Sequence, residues 1–343
     1  MGYFFAMLIK ENISLLPYNT FGINVNADYF VEYNSTEDLL ETLKHNIVSK
    51  NRILTIGEGS NLLFLSDFKG VILYSKNKFI SVLEENPDSI LIEAGSGVIW
   101  DDFVAYCADN GFYGIENLSL IPGQTGAAAV QNIGAYGVEI KDLISEVRTI
   151  EIASRLPQIF TTKECEYGYR DSIFKNKVKG KHIITSVVFR LSKHEKYCFD
   201  YEHLEHAVLK KGKISLANVR ETIIEIRETK LPDPKTQGNA GSFFKNPVIA
   251  RNHFLQLQEE YPNISHFYVS ETEEKVSAAW LIDRCGWKGK RIRNAGVHDK
   301  QPLVLVNLGN VTGEEIAHLA SEIQLSVKEK FNIVLQPEVN YVS

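Results

Sequence analysis

The chain alternates between two hydrophobic periods, and the switches begin early. Leu39, Leu40, Leu43 and Ile47 recur at helical spacing. Ser35 stands before them with Asp38 three residues on, which predicts a capped helix start. An apolar run at residues 52–56 then reads as a strand, broken by Gly57 and Gly59, and residues 62–65 and 71–74 read as further strands. Trp100, Phe103, Val104 and Cys107 return to the helical period, with Gly111 as a stop signal. Beyond them the pattern predicts strands at 147–152 and 182–191, a polar stretch at 194–213, and a helix over 219–226 ended by Leu231-Pro232-Asp233-Pro234. Thr312 and Glu315 form a capping-box pattern ahead of the stripe Ile316, Leu319, Ile323 and Val327. A last strand is predicted over 337–342. Strands and helices mixed in this way, without repeats or long linkers, predict a mixed α/β architecture.

A length of 343 residues suggests two or three domains. The apolar fraction of 44% is enough for a large core without a metal or disulfide staple. A net charge of -6 and no clustered basic face argue against nucleic acid as a partner. A local basic pocket for a phosphorylated small molecule stays open. Cys107, Cys165, Cys198 and Cys285 form no C-x-x-C pair, so buried or inert thiols in a reducing compartment are expected. The uncharged start, residues 1–9, is too short for a membrane span, and Met7 is an alternative start. The expectation is a soluble, cytoplasmic protein without a membrane partner.

Several segments can carry chemistry. Gly57-Glu58-Gly59-Ser60-Asn61 follows a strand, and turn N–H groups with glycine can cradle an anion. The dinucleotide fingerprint fails, because Leu62 stands where its third glycine belongs and the next residues read as strand. A plain tight turn explains this segment equally well. The run from Ile121 to Gly137 opens with Pro122-Gly123 and continues through small residues. Such side chains let a planar ligand lie against backbone, and a helix starting near Gly126 would aim N–H groups at a diphosphate. A close-packed turn and short helix is the alternative.

Arg170 lies among tyrosines in Tyr167-Gly168-Tyr169-Arg170-Asp171-Ser172, and could grip a carboxylate by two parallel bonds or simply form a surface turn with Asp171. Ser242 follows Ala240-Gly241 without a G-x-S-x-G elbow, so proton transfer suits it better than hydrolysis. Glu338, within the apolar end of the chain, is either a paired core acid or a functional group. His203 and His206 form an H-x-x-H pair without a third ligand and read as a solvated face, so no metal site is expected.

Taken in order, these segments resemble the UDP-N-acetylenolpyruvoylglucosamine reductase family over almost the whole chain. The matching pieces start at Asn19-Thr20-Phe21-Gly22-Ile23 and include Gly57 to Asn61, Ile121 to Gly137, Tyr169 to Ser172, Lys230 to Pro234, Gly238 to Pro247 and Pro337-Glu338-Val339. The strings Gln131 to Gly137 and Gly238 to Pro247 are the most specific. Tyr201 matches a branch with a substrate-covering tyrosine loop. The departures are an extended N-terminus and polar loop sequences outside these motifs.

The resemblance implies a two-part flavin-binding fold of the vanillyl-alcohol-oxidase (PCMH) type and a C-terminal α+β substrate domain. It divides the chain into residues 1–80 with 324–343, residues 81–215, and residues 216–323. It implies non-covalent FAD, with NADPH as co-substrate, and a monomer. By the same resemblance Arg170, Ser242 and Glu338 are catalytic. Gly57, Glu58, Gly59, Ser60, Asn61, Pro122, Gly123, Thr125, Gly126, Ala127, Gln131, Asn132, Gly134, Ala135 and Tyr136 would hold the cofactor. Tyr201, Lys230 and Asn246 would hold substrate, with Lys288 and Gln301 as weaker matches. Another flavin oxidoreductase of this fold, or a non-catalytic UDP-sugar-binding protein, are the competing readings. The first need not keep Ser242, Arg170 and Glu338 together, and the second predicts loss of the flavin loops or of the proton donor.

Overall fold

The computed structural model describes residues 8–201 and 203–343, so the alternative start at Met7 lies outside the described residues. Two compact units divide the chain. The first holds the segment ending at Ile13, Ala27–Glu58 and Lys69–Arg227; the second holds Ser14–Asn26, Gly59–Phe68 and Glu228–Ser343.

In the first unit, a four-stranded sheet runs in the order Ile9–Ser14, Asn26–Tyr33, Phe68–Ser75, Ile53–Ile56, and its last pair is parallel. The helix Thr36–Lys44 begins as its cap predicts, with the Ser35 hydroxyl accepting the Asp38 N–H. It ends sooner than the stripe implies. His45 is extended, and its ring accepts the Ile47 N–H to start a separate helix, Asn46–Lys50. Ile47 therefore sits in that second helix. Leu39, Leu43 and Val48 nevertheless join one core with Val31, Tyr33, Val71 and Leu73.

A second, antiparallel sheet has the order Pro157–Thr161, Ile144–Glu151, His182–Ser192, Ser89–Gly95, Ile80–Glu85. The strand His182–Ser192 is buried almost throughout because both of its faces are covered. Ile183 joins the first core, whereas Val187, Phe189 and Leu191 pack with Trp100, Phe103, Val104 and Cys107. Those four come from the helix Trp100–Asp109, which covers one face of the sheet with its apolar stripe. The polar stretch after the sheet hides a helix, Leu204–Leu209. It buries Leu204 and Val208 against Val219 and Ile223 of the helix Leu216–Lys230. Two apolar residues four apart, inside a charged run, were too few to set a visible period.

The second unit contains the sheet Asn239–Ser242, Val304–Asn307, Ala295–Val297, Arg291–Ile292, and a small sheet Val248–Ala250, Glu273–Val276, His266–Tyr268. The helix Gly313–Phe331 starts with both halves of the Thr312–Glu315 capping box and buries Ile316, Leu319, Ile323 and Val327. The terminal strand is shorter than its sequence suggests. Only Asn340–Val342 pairs as a strand, parallel to Leu62–Phe64. Pro337, with no N–H to give, makes a single bridge to Phe244. Glu338 thus lies just before the strand rather than within it. Among the described residues no helix is long and apolar enough to cross a membrane.

Phe189 is fully buried, with its ring 4.8 Å from Phe103 and 6.0 Å from Trp100. Phe189→Ala should cost about 3–5 kcal/mol, the range for emptying an aromatic site in a packed core. Urea denaturation measures this directly, and a loss under about 1 kcal/mol would mean the surrounding rings collapse into the space.

Candidate active site

In the first unit, the strand Ile53–Ile56 delivers Gly57 and Glu58 to the loop after Pro122. Glu58 accepts the Gly123 N–H at 2.9 Å. A Cβ on Gly57 would stand 3.2 Å from the Gln124 side-chain oxygen and 3.4 Å from the Ala127 methyl. The glycine backbone therefore packs against one amide side chain and one methyl. The helix that follows is short, Thr125–Gln131. Its opening N–H groups are already used: Thr125 donates to the Val98 carbonyl and Gly126 to that of Ser96. The expected role of this helix start as a diphosphate cradle is accordingly not met by the N–H groups of Gly123, Thr125 and Gly126. Packing decides it, because Gly126 is pressed against Ser96, with 2.8 Å left for a Cβ. The root of the loop is held by Asp101, which accepts the Leu120 N–H and takes two bonds from Arg220, at 2.7 and 2.9 Å.

Arg170 occupies a two-residue turn closed by mutual Gly168–Asp171 backbone bonds, and its φ is 54°. A left-handed arginine is an uncommon conformation that the surroundings must enforce. They do so at several points. The Arg170 guanidinium donates to the carbonyls of Gly134 and Asn132 and lies over the Tyr169 ring. Lys175 bonds both the Arg170 carbonyl and the Gln131 side chain. Asn132, fully buried and itself left-handed, ends the short helix and donates its side-chain NH2 to Gly168 at 2.7 Å and to Glu139 at 3.2 Å. Gly134 has no room for a side chain, since a Cβ would come 2.8 Å from the arginine. Gln131, Asn132, Gly134 and Arg170 are thus brought together. Ala135 lies in the next hairpin, and Tyr136 follows at its turn with its ring 4.8 Å from that of Tyr201.

In the second unit, Gly59 has a φ of 64°, and a Cβ there would lie 2.1 Å from the Tyr18 carbonyl. Only glycine allows that approach. Asn61 donates to the Glu338 carbonyl at 3.2 Å, and half-buried Ser60 stands between these two residues. The Glu338 N–H donates to the Phe243 carbonyl at 2.8 Å. Ser242, the preceding residue, ends its strand with an exposed side chain, while Phe243 and Phe244 are buried. Ser242 and Glu338 are therefore neighbours across one backbone bond. The remaining candidates are dispersed over other elements. Lys230 ends its helix on the surface, and Asn246 accepts the Ala278 N–H at 2.9 Å. Lys288 is exposed in the turn after the helix Ala278–Arg284, and Gln301 sits in a turn closed by its bond with Val304.

Of the cysteines, Cys107 and Cys165 are buried, and burial raises both thiols, that of Cys165 to about 11. Cys198 and Cys285 are half-buried, and all four cysteines are free thiols. Two supporting residues escaped the sequence reading, Lys175 and Asp101. Lys175 follows Arg170 by five positions and had a signal in that spacing. Asp101 had none, because its partners lie 19 and 119 residues away.

Comparison with known proteins covers both units. A family model described as an FAD binding domain matches residues 27–154. One described as the C-terminal domain of UDP-N-acetylenolpyruvoylglucosamine reductase matches residues 233–342. The protein of that name from Bacteroides fragilis is 47% identical over 97% of this chain and all of its own length. That from Porphyromonas gingivalis is 46% identical over 98% of this chain and, again, its whole length. A crystal structure of the reductase from Thermus caldophilus has a similar fold, with a TM-score of 0.68 at 22% identity, covering 98% of this chain and 100% of the other.

Asp101 gives a pH test of the loop root. Burial pushes its carboxyl up, but the Arg220 bonds, the Leu120 N–H and the charges of Arg220 and Arg227 outweigh this and hold it below its ordinary value. A lowered folded pKa contributes stability above the unfolded value, and loses it as pH falls through the folded one. Asp101→Asn should cost about 1–3 kcal/mol at neutral pH. The gap to wild type should shrink below about pH 4, where the unfolded carboxyl protonates. Urea midpoints across that range check it, and a gap independent of pH would remove the charge from the account.

Proposed function

The chain belongs to the UDP-N-acetylenolpyruvoylglucosamine reductase family, and from that premise we propose how its residues divide the work. The protein is an oxidoreductase of peptidoglycan precursor synthesis, a flavoprotein using FAD with NADPH as co-substrate. Its reaction turns the enolpyruvyl ether of UDP-N-acetylglucosamine into UDP-N-acetylmuramate. The residues present suit a flavin dinucleotide. Gly57 lies against the Gln124 side chain and the Ala127 methyl, so the wall here is a glycine backbone, one amide side chain and one methyl. Gly57, Glu58, Gly59, Ser60 and Asn61 would hold the cofactor together with Pro122, Gly123, Thr125, Gly126 and Ala127. The second group contributes shape more than donated N–H groups. Gln131, Asn132, Gly134, Ala135 and Tyr136 continue that surface.

A flavin held by these residues would supply the hydride chemistry that links NADPH to C3 of the enolpyruvyl group. Negative charge then builds at C2 and spreads into the substrate carboxylate. Arg170 holds that carboxylate with its planar, two-pronged guanidinium. Glu338 supports the same charge through its acid form, since a carboxylate there would repel it. Ser242 gives its hydroxyl proton to C2. Tyr201, Lys230 and Asn246 bind the diphosphate end of the substrate, with Lys288 and Gln301 in lesser roles. The observation that carries this reading is the Glu338 N–H bond to the Phe243 carbonyl, beside the exposed Ser242 hydroxyl.

The three-part division at residues 80, 215 and 323 belongs to the same proposal. Separate sheets, one from strands within residues 9–75 and one from strands within residues 80–192, support the boundary at residue 80. Action as a cytoplasmic monomer without nucleic-acid or membrane partners belongs to the same proposal, and the net charge of -6 supports its nucleic-acid part.

Ser242→Ala should leave flavin reduction by NADPH near the wild-type rate. Reoxidation of pre-reduced enzyme by substrate should slow by about 100-fold or more, as for a lost proton-transfer group. Ser242→Cys should keep part of the activity. Anaerobic single-turnover traces decide this, and an alanine variant that reoxidises at the wild-type rate makes Ser242 structural.

Arg170→Lys keeps the charge but not the two-point grip. The second half-reaction should slow by at least roughly tenfold, or about 1.4 kcal/mol of barrier, with the first unaffected. An unchanged second half-reaction in stopped flow would take Arg170 out of its role.

A further inference from the structure

Tyr201 follows a strap without regular structure, since residues 195–200 are neither helix nor strand. What sets the path of the strap is a polar contact from below. Asn117 is 1% exposed, in a 3-10 turn, Glu116–Leu118, that is itself braced. Trp100 donates its ring N–H to the Leu118 carbonyl at 2.8 Å, and the Glu116 carboxylate accepts the Gly114 N–H at 2.7 Å. From this base the Asn117 side-chain NH2 donates twice, to the Tyr136 carbonyl at 2.7 Å and to the Cys198 carbonyl at 2.9 Å. Both partners are acceptors, so only the NH2 end can face them and the amide cannot be reversed. The Asn117 side-chain oxygen is buried without a hydrogen-bond partner among the described residues. An unmet acceptor costs free energy, so it is the two donated bonds that retain an amide at this position.

The segments tied together in this way carry Tyr136 and, three residues after Cys198, Tyr201, whose rings meet edge to face at 4.8 Å. Gly137 adds an independent constraint. A Cβ there would come within 2.8 Å of the Cys198 sulfur, and its φ is 87°. The strap therefore reaches its position only where residue 137 lacks a side chain and residue 117 donates two hydrogen bonds.

We propose that Asn117 is a positioning residue for the substrate step: its side-chain NH2 joins the backbone of the strap to that of Tyr136 and so sets where Tyr201 stands. The inference rests on the reading of Tyr201 as a substrate-binding residue. Asn117 touches neither substrate nor cofactor in this scheme and acts through Tyr201. Loss of its bonds leaves the strap to its ring contacts, Tyr197 against Tyr113 at 5.6 Å and against Phe199 at 5.9 Å. Those hold side chains, and the Tyr201 carbonyl keeps the Leu204 N–H at 3.1 Å, but the Cys198 end of the strap loses its tie to the Tyr136 backbone.

The test uses the FAD-loaded enzyme and the enolpyruvyl substrate, with the dissociation constant read from the flavin absorbance of oxidised protein. Asn117→Ala and, separately, Gly137→Ala should each raise that constant by roughly tenfold, the effect of losing a strong hydrogen bond. KM for the substrate should rise alongside, with kcat and the rate of flavin reduction by NADPH held. The same two changes made on a Tyr201→Phe background should add little, because residues acting through one hydroxyl are not additive. If Tyr201→Phe weakens binding while Asn117→Ala does nothing, or adds its full effect to it, the inference fails alone. If Tyr201→Phe leaves binding unchanged, the reading of Tyr201 fails and Asn117 loses its role with it. A fall in kcat or flavin content without a change in binding would make Asn117 merely structural.

Discussion

The Asn132 side chain is the contact on which the placement of Arg170 depends. It closes the helix Thr125–Gln131 in a left-handed conformation, donates to Gly168 and Glu139, and accepts the Lys141 N–H at 3.1 Å. The nearby segment 139–141 and the more distant Gly168, 36 residues on, thus converge on one buried amide. Burial makes each bond costly to lose, because the amide would have no water to turn to. The Gly168–Asp171 turn is held as a consequence, and with it the strained backbone of Arg170. A guanidinium fixed in this way spends little conformational entropy when it grips a carboxylate. The strain is offset by bonds made elsewhere, as is common where a site must be ready before its ligand arrives.

The second unit solves the same problem with backbone. Phe243 and Phe244 are buried as a pair at 5.1 Å, which anchors the strand end and turns the preceding Ser242 side chain outward. The Phe243 carbonyl then receives Glu338, and Asn61 holds the other side of that residue through its carbonyl. A serine and an acid separated by 96 positions in the chain become neighbours with no direct bond between their side chains being needed. The Ser242 side chain is exposed there, and proton donation from a hydroxyl depends on access as much as on position.

Much of the frame could be read from residue order alone. Helix starts at Ser35 and Thr312 were legible because a cap is a local event, settled by a hydroxyl and an N–H three residues apart. The stripes Trp100 to Cys107 and Ile316 to Val327 were legible because one face of each helix had to be apolar. The candidate residues for chemistry came from the same source, through segments whose types and order match a family. Tertiary structure decided what local rules cannot reach. It ended a helix at Lys44 because His45 capped the next one, and it kept Glu338 out of the strand because Pro337 has no N–H to pair. It also spent the N–H groups of Thr125 and Gly126 on the carbonyls of Val98 and Ser96, some 27 and 30 residues back. The contacts of Asp101, Asn117 and Asn132 belong to this second class as well. Each is a polar side chain whose meaning lies in partners far along the chain. A sequence lists such residues, but only packing brings their partners within hydrogen-bonding distance.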